Sequence, residues 1–220
     1  MIIDVLGDSI TAGCGASSPD KNFVSLLRKK LGCTVNNYGV GGTRIARQRS
    51  LYYEYGNDHD FVERMTEMDR SADFVFVFGG TNDYAHGDAP VGDIDDNDEY
   101  TFYGALNTIV KYVRENIKNA KLCFILPMHR LEENYPFGEN GCKKGGCEPL
   151  VNYVNAVKAV CARHDLDHID LFYGGFTVTE ENKDEYTSDG LHPNDKGHEF
   201  IADKVAEYVL KNSQKPKIAR

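Results

Sequence analysis

The sequence lacks the long apolar runs that place a chain in a membrane. No stretch approaches the roughly 20 apolar residues of a spanning helix. At the N-terminus, Asp4 and Asp8 interrupt the segment MIIDVLGD where a signal peptide has its apolar run. We therefore expect no membrane span and, unless a leader precedes this sequence, a cytoplasmic location.

Basic residues are also in short supply. The 25 Lys and Arg residues face 34 Asp and Glu residues, and the formal net charge is -9. Because nucleic-acid binding generally needs a basic surface, this balance argues against a nucleic-acid partner. The length of 220 residues, 41% of them hydrophobic, predicts a single domain over residues 1–220 with a full core. Neither property indicates an oligomeric state.

Six cysteines are too few to form a disulfide scaffold in a chain of this length. Cys33, Cys123 and Cys161 lie in segments with regular patterns, where cysteine is usually a small core residue. Cys142 and Cys147 favour a reduced loop over a local disulfide. A structural zinc site needs four ligands and only this one pair is present, so no metal is predicted.

Short apolar segments alternate with helix-like segments along the whole chain. Strands are predicted at 2–7, 33–39, 74–80, 122–128 and 168–172, and helices at 23–31, 60–68, 102–117, 150–161 and 200–210. This alternation predicts an α/β fold, a three-layer α/β/α sandwich around a central five-stranded parallel sheet. In such sheets ligands bind beyond the carboxyl ends of the strands. Two long connections, 84–100 and 129–149, are either functional lids or mobile segments.

The segment Gly7-Asp8-Ser9-Ile10 follows the first strand directly. A serine at this edge of the sheet can present its hydroxyl to a cleft. The alternative is that Asp8 or Ser9 caps a helix, and for this short tripeptide alone the alternative is favoured.

Asp189 and His192 stand three positions apart, just before the last helix. A serine hydroxyl needs a base to take its proton. His192 could be that base, and Asp189 could orient its ring. Alternatively, the two residues lie in a solvated turn and Asn194 caps the helix.

Glycine and asparagine follow the second and third strands, in NYGVGGTR and GGTND. An oxyanion hole needs fixed hydrogen-bond donors, which a backbone N–H at a glycine and the Asn82 amide could supply. Tight βα turns are the alternative. A phosphate cradle is not favoured, because the lysine and the downstream Ser or Thr of a P-loop are absent.

Taken together, these four blocks resemble the SGNH hydrolase superfamily, the GDSL-type lipases and esterases. The resemblance covers nearly the whole chain and implies a flavodoxin-like SGNH hydrolase fold. It implies Ser9 as nucleophile, Asp189 and His192 as its partners, and an oxyanion hole of Ser9, Gly42 and Asn82. No cofactor is implied.

Further residues are candidates for substrate contact. Asp8 and Arg44 belong to two of the four blocks, and Tyr84 directly follows a third. Arg44 could equally form a surface ion pair. His86 and Asp88 could line the pocket or bind an ion, but solvated loop positions are favoured. Aromatic residues predicted at the rim are Tyr52, Tyr53, Tyr55, Tyr84, Tyr135 and Phe137.

The resemblance predicts a serine esterase acting on small-molecule or glycan esters with short acyl chains, with carbohydrate O-acetyl esters preferred by analogy to the family. A lysophospholipase or thioesterase would use the same residues. A non-catalytic ligand-binding module and a flavodoxin-like nucleotide-binding domain are rivals from other classes. The first would not be expected to retain all five site residues, and the second leaves Asp189 and His192 unexplained.

Overall fold

A computed structural model of the chain describes residues 1–49, 59–134 and 148–213. Its five strands form one parallel sheet in the order β2-β1-β3-β4-β5, the flavodoxin-like order. The strands are β1 (Ile2–Gly7), β2 (Thr34–Gly39), β3 (Phe74–Phe78), β4 (Lys121–Ile125) and β5 (Asp167–Ile169). The predicted five-stranded parallel sheet is confirmed.

Helices connect the strands in the described ranges. The helices there are α1 (Ser9–Ala12), α2 (Phe23–Leu31), α3 (Phe61–Arg64), α4 (Thr81–His86), α5 (Phe102–Asn116), α6 (Leu150–Arg163), α7 (Lys183–Tyr186) and α8 (Asp195–Ser213), and a 3-10 turn (Met65–Glu67) follows α3. Within the described ranges, none of the helices is both long and apolar enough to cross a membrane.

The sheet is buried on both faces. In β3, Phe74, Phe76 and Phe78 pack with α2 and α8, while Val75 and Val77 pack with α5 and α6 on the other side. This separation follows from the two-residue period of a strand. Every residue of β3 is buried, which explains why its sequence is apolar at each position. The predicted three-layer sandwich is confirmed.

Three loops leave the sheet side by side. Gly7 at the end of β1 is in register with Gly39 of β2 and with Phe78 of β3. Because the strands are parallel, the segments that follow these residues start from the same edge. That edge carries the candidate site.

Several element boundaries differ from the sequence prediction. The segment after Gly80 begins with α4 rather than a loop, and Gly80, with a left-handed φ of 111°, is the N-cap residue of this helix. Strand β5 ends at Ile169, where the Asp170 carboxylate accepts the N–H groups of the next turn. Helix α8 begins at Asp195, five residues earlier than predicted, because Asn194 Oδ1 accepts two N–H groups and caps it.

Candidate active site

Ser9 lies at the carboxyl end of β1, as the first residue of α1. Asp8 caps this helix, since its Oδ1 accepts the N–H of Ile10 at 2.9 Å. Gly7 makes the turn possible, because a Cβ at this position would lie 2.0 Å from Thr11 Oγ1. The capping role considered for Asp8 is therefore real, and it places Ser9 where the strand ends.

His192 and Asp189 occupy the loop before α8, closed by a bridge between Thr187 and Pro193. His192 Nε2 lies 3.0 Å from Ser9 Oγ, and His192 Nδ1 lies 2.7 Å from Asp189 Oδ2. The structure thus brings Ser9, His192 and Asp189 into one continuous hydrogen-bonded row.

Hydrogen bonds set the charge of Asp189. Burial raises the pKa of its carboxyl, but bonds from the His192 ring and from the N–H groups of His192 and Leu191 outweigh burial and lower the pKa below its ordinary value. An ionised carboxylate can only accept, so His192 carries its proton on Nδ1. His192 Nε2 then accepts from the Ser9 hydroxyl, the arrangement that a general base requires.

The glycine turn after β2 lies beside Ser9. A Cβ built on Gly41 would lie 3.8 Å from Ser9 Cβ, and Gly42 has a left-handed φ of 76°. Thr43 closes the turn through its N–H and hydroxyl, both donated to the carbonyl of Val40. The predicted glycine block therefore borders Ser9.

Asn82, in the first turn of α4, is bonded to this same turn. Its Nδ2 donates to the carbonyl of Thr43 at 2.9 Å, and its Oδ1 lies 3.2 Å from His86 Nε2. His86 Nδ1 in turn lies 3.1 Å from Arg44 Nη1. His86 thus contacts a candidate site residue through its ring, and Arg44 is buried at 6% exposure.

Asp83 has a structural role in the GTND block. Its two carboxylate oxygens accept the N–H groups of Ile45 and Ala46, each at 2.9 Å. This pair of bonds ties α4 to the segment that continues the glycine turn. The block therefore supplies both a candidate donor, Asn82, and the anchor that holds it.

A buried arginine that was not predicted from the sequence lies beneath the site. Arg64 donates through Nη2 to the carbonyl of Gly7 at 3.0 Å and to Thr43 Oγ1 at 2.8 Å, and through Nη1 to the carbonyl of Tyr38. It therefore joins the ends of β1 and β2 to the glycine turn. The available signal was a charged residue in a short segment that also carries Phe61, Val62 and Met65.

The structure corrects the placement of Tyr84. Its side chain is fully buried, its hydroxyl donates to the carbonyl of Glu132, and its ring packs against Tyr153 and beneath the Arg130 guanidinium. Tyr84 is thus a core residue and not an aromatic of the rim. It points inward because α4 is a helix, where a loop was expected.

Asp8 is buried beside a small cavity. Burial raises the pKa of its carboxyl to about 6. The cavity, about 10 Å³, is lined by Asp8, Ile10, Phe78, Gly79, Thr81, Pro127, Met128, His129 and Leu191. This volume holds about one water molecule and is too small for an acyl chain.

Other predictions fall on parts of the chain that the structure does not describe. Cys142, Cys147 and the rim aromatics Tyr52, Tyr53, Tyr55, Tyr135 and Phe137 lie outside the described residues, as does most of the 129–149 connection. Asp88 lies within them, and its Oδ1 accepts the N–H of Arg49. Among the described residues, no three His, Cys, Asp or Glu side chains are grouped closely enough to hold a metal ion.

Known proteins share both the sequence pattern and the fold. The model of the GDSL-like lipase/acylhydrolase family matches residues 5–200. An isoamyl acetate-hydrolyzing esterase 1 homolog from Homo sapiens is 29% identical, over 90% of this chain and 76% of that protein.

Solved structures agree. A protein from Lactobacillus plantarum has a TM-score of 0.79 and 29% identity, with 96% of each chain covered. A lipase/acylhydrolase from Enterococcus faecalis has a TM-score of 0.66 and 22% identity, with 99% of each chain covered. With the family model matching most of its length, the chain belongs to the GDSL-like lipase/acylhydrolase family and is a carboxylic ester hydrolase.

Proposed function

We propose that this protein is a serine esterase that hydrolyses short-chain O-acyl esters through Ser9, His192 and Asp189. One observation carries the proposal: Ser9 Oγ lies 3.0 Å from His192 Nε2, and the same ring reaches Asp189 at 2.7 Å. The first distance allows direct proton transfer from the serine, and the second holds the imidazole in the required tautomer.

The reaction has two steps. Ser9 Oγ attacks the ester carbonyl carbon while His192 Nε2 takes the hydroxyl proton, and Asp189 stabilises the imidazolium that forms. The tetrahedral intermediate collapses, and the alcohol leaves with the proton from Nε2. Water then attacks the acyl-serine in the same way, releasing the acid and restoring Ser9.

The oxyanion of each intermediate needs donors fixed in advance. We assign this role to the backbone N–H groups of Ser9 and Gly42 and to the side-chain amide of Asn82. The assignment is supported by Gly41, whose position would bring a Cβ to 3.8 Å from Ser9 Cβ, and by the bond from Asn82 to Thr43 in the same turn.

A short acyl group is supported by one observation. The human relative, at 29% identity, is named for hydrolysis of isoamyl acetate, an acetate of a small alcohol. We therefore propose acetate and similar short esters as substrates, with a small alcohol or a carbohydrate as the leaving group.

The test is hydrolysis of p-nitrophenyl esters from acetate to palmitate by the wild type and by Ser9→Ala. We expect the wild type to cleave the short esters best and Ser9→Ala to show only the background rate. Isoamyl acetate and an acetylated xylo-oligosaccharide, followed by acetate release, then distinguish the two leaving groups. Equal rates for the wild type and a folded Ser9→Ala variant would overturn the proposed mechanism. A maximum at long chains would overturn the substrate class.

A further inference from the structure

We infer that His86 is a positioning residue that fixes the orientation of the Asn82 amide, and that Arg44 fixes the tautomer of His86. This inference rests on the proposed role of Asn82 as an oxyanion donor. It assigns a function to a histidine that lies outside the four sequence blocks and takes no part in the two proposed reaction steps.

The direction of each hydrogen bond follows from the chemistry of its two ends. A guanidinium can only donate, so His86 Nδ1 accepts from Arg44 Nη1 across 3.1 Å. The proton of the neutral ring therefore lies on Nε2, which donates to Asn82 Oδ1 across 3.2 Å.

The direction of the hydrogen bond at the other end of the row, between Asn82 and Thr43, is also fixed by chemistry. A backbone carbonyl can only accept, so the Asn82 atom 2.9 Å from the Thr43 carbonyl must be the amide nitrogen. Donation thus runs one way, from Arg44 to His86 to Asn82 to Thr43. Rotating the Asn82 amide by 180° would place oxygen against the Thr43 carbonyl and N–H against N–H at His86. The row therefore stabilises one orientation, in which the second Nδ2 hydrogen has a set direction.

The row also joins two of the proposed oxyanion donors, the Asn82 amide and the glycine turn that contains Gly42. Asn82 and His86 are four residues apart on α4 and so lie on one face of this helix. Arg44 follows the glycine turn, and its Nη1 also lies 3.4 Å from the Gly42 carbonyl. Removing the His86 ring would take away the N–H that Asn82 Oδ1 accepts, and the bond to Thr43 alone would hold the amide less firmly in its preorganised orientation.

The experiment compares steady-state kinetics on p-nitrophenyl acetate. We expect His86→Leu to lower kcat by about tenfold or more, because an oxyanion donor acts on the transition state, while KM changes little. His86→Gln should retain most of the wild-type kcat, since its amide N–H can reach Asn82 Oδ1. On an Asn82→Ala background, His86→Leu should cause no further loss.

The chain offers a matched control. A second Arg–His–Asn row lies outside the site, where Arg114 Nη1 lies 3.4 Å from His164 Nδ1 and His164 Nε2 lies 3.0 Å from Asn107 Oδ1. His164→Leu removes a similar ring with similar partners. We expect it to leave kcat unchanged.

If His86→Leu does not fold, an NMR measurement on the wild type, which does not depend on turnover, still tests the inference. Long-range ¹H–¹⁵N spectra of the wild type should show His86 as the Nε2–H tautomer, and the Nδ1–H tautomer would overturn the inference. Full activity of His86→Leu, or an equal loss on the Asn82→Ala background, would overturn it as well. These outcomes differ from failure of the proposed function, in which Ser9→Ala would equal the wild type.

Discussion

Ser9 and His192 are 183 positions apart in the chain, yet Ser9 Oγ lies 3.0 Å from His192 Nε2. Ser9 is held at the end of β1. His192 is held by a loop in which the Asp189 carboxylate accepts the backbone N–H groups of Leu191 and His192. The two side chains are therefore positioned by separate local structures that meet at one edge of the sheet.

Ser9→Ala and His192→Ala should each lower kcat on p-nitrophenyl acetate by on the order of 10⁴-fold or more, and the double variant should be no worse than either single variant. The reason is that neither the nucleophile nor the base can act without the other. Steady-state rates, with circular dichroism as the control for folding, test this. Multiplicative losses in the double variant would show that the two residues act independently.

Asn82→Ala should lower kcat by about 10²- to 10³-fold with a small change in KM, because it removes a proposed donor to the oxyanion. Asn107→Ala is the matched control. Asn107 also accepts a hydrogen bond from a histidine ring but lies outside the site, so the kcat of the Asn107→Ala variant should stay at the wild-type level. A similar loss in both variants would point to general destabilisation.

Arg64→Met should lower the free energy of unfolding by roughly 2–4 kcal/mol, because buried or part-buried acceptors at Gly7, Tyr38 and Thr43 each lose one donor. Urea denaturation followed by circular dichroism measures the change. The exposed Arg70 provides the control, since Arg70→Met should change stability by less than about 0.5 kcal/mol. Equal effects of the two substitutions would contradict the role assigned to Arg64.

His198 makes stability depend on pH. It is fully buried, its Nδ1 accepts the N–H of Phe23, and its Nε2 donates to the carbonyl of Cys14. Burial, together with His192, lowers the pKa of His198 below 6.5, while the bond to Cys14 and the charge of Asp195 oppose this shift. Its stabilising contribution is therefore complete above pH 6.5 and is lost as pH falls through the lower folded-state pKa.

Urea denaturation between pH 5 and 7.5 should show a weaker loss of stability toward acid in His198→Gln than in the wild type. The comparison is needed because Asp8 has the opposite effect. With its pKa raised to about 6, the stability that Asp8 contributes in acid is lost as pH rises through that value. Asp8 is the same in both proteins, so the difference isolates His198. Identical pH profiles would contradict the prediction.

Much of the fold was predictable because its signals are local. The run FVFVF is apolar at every position and marked a strand covered on both faces, which β3 is. Glycine and aspartate ahead of Ser9, and the Asp-x-x-His spacing, could be found by inspection. The boundaries of β5 and α8 could not, because side-chain bonds from Asp170 and Asn194 decide where these elements end and begin.

Tyr84 shows the limit of local signals. An aromatic after a glycine-rich block is compatible with an exposed rim, and only the helical turn of α4 directs it into the core. Arg64 and His86 were equally hard to assign, since their partners come from β1, β2 and the turn that follows β2.

Local sequence sets the succession of strands along the chain, their apolar character and the chemical groups that follow them, because these depend on neighbouring residues. Long-range contacts in the folded protein set which of those groups meet. Parallel pairing brings the ends of β1, β2 and β3 to one edge, and buried polar groups must find partners there across long separations in the chain. The row from Arg44 to Thr43 exists for that reason.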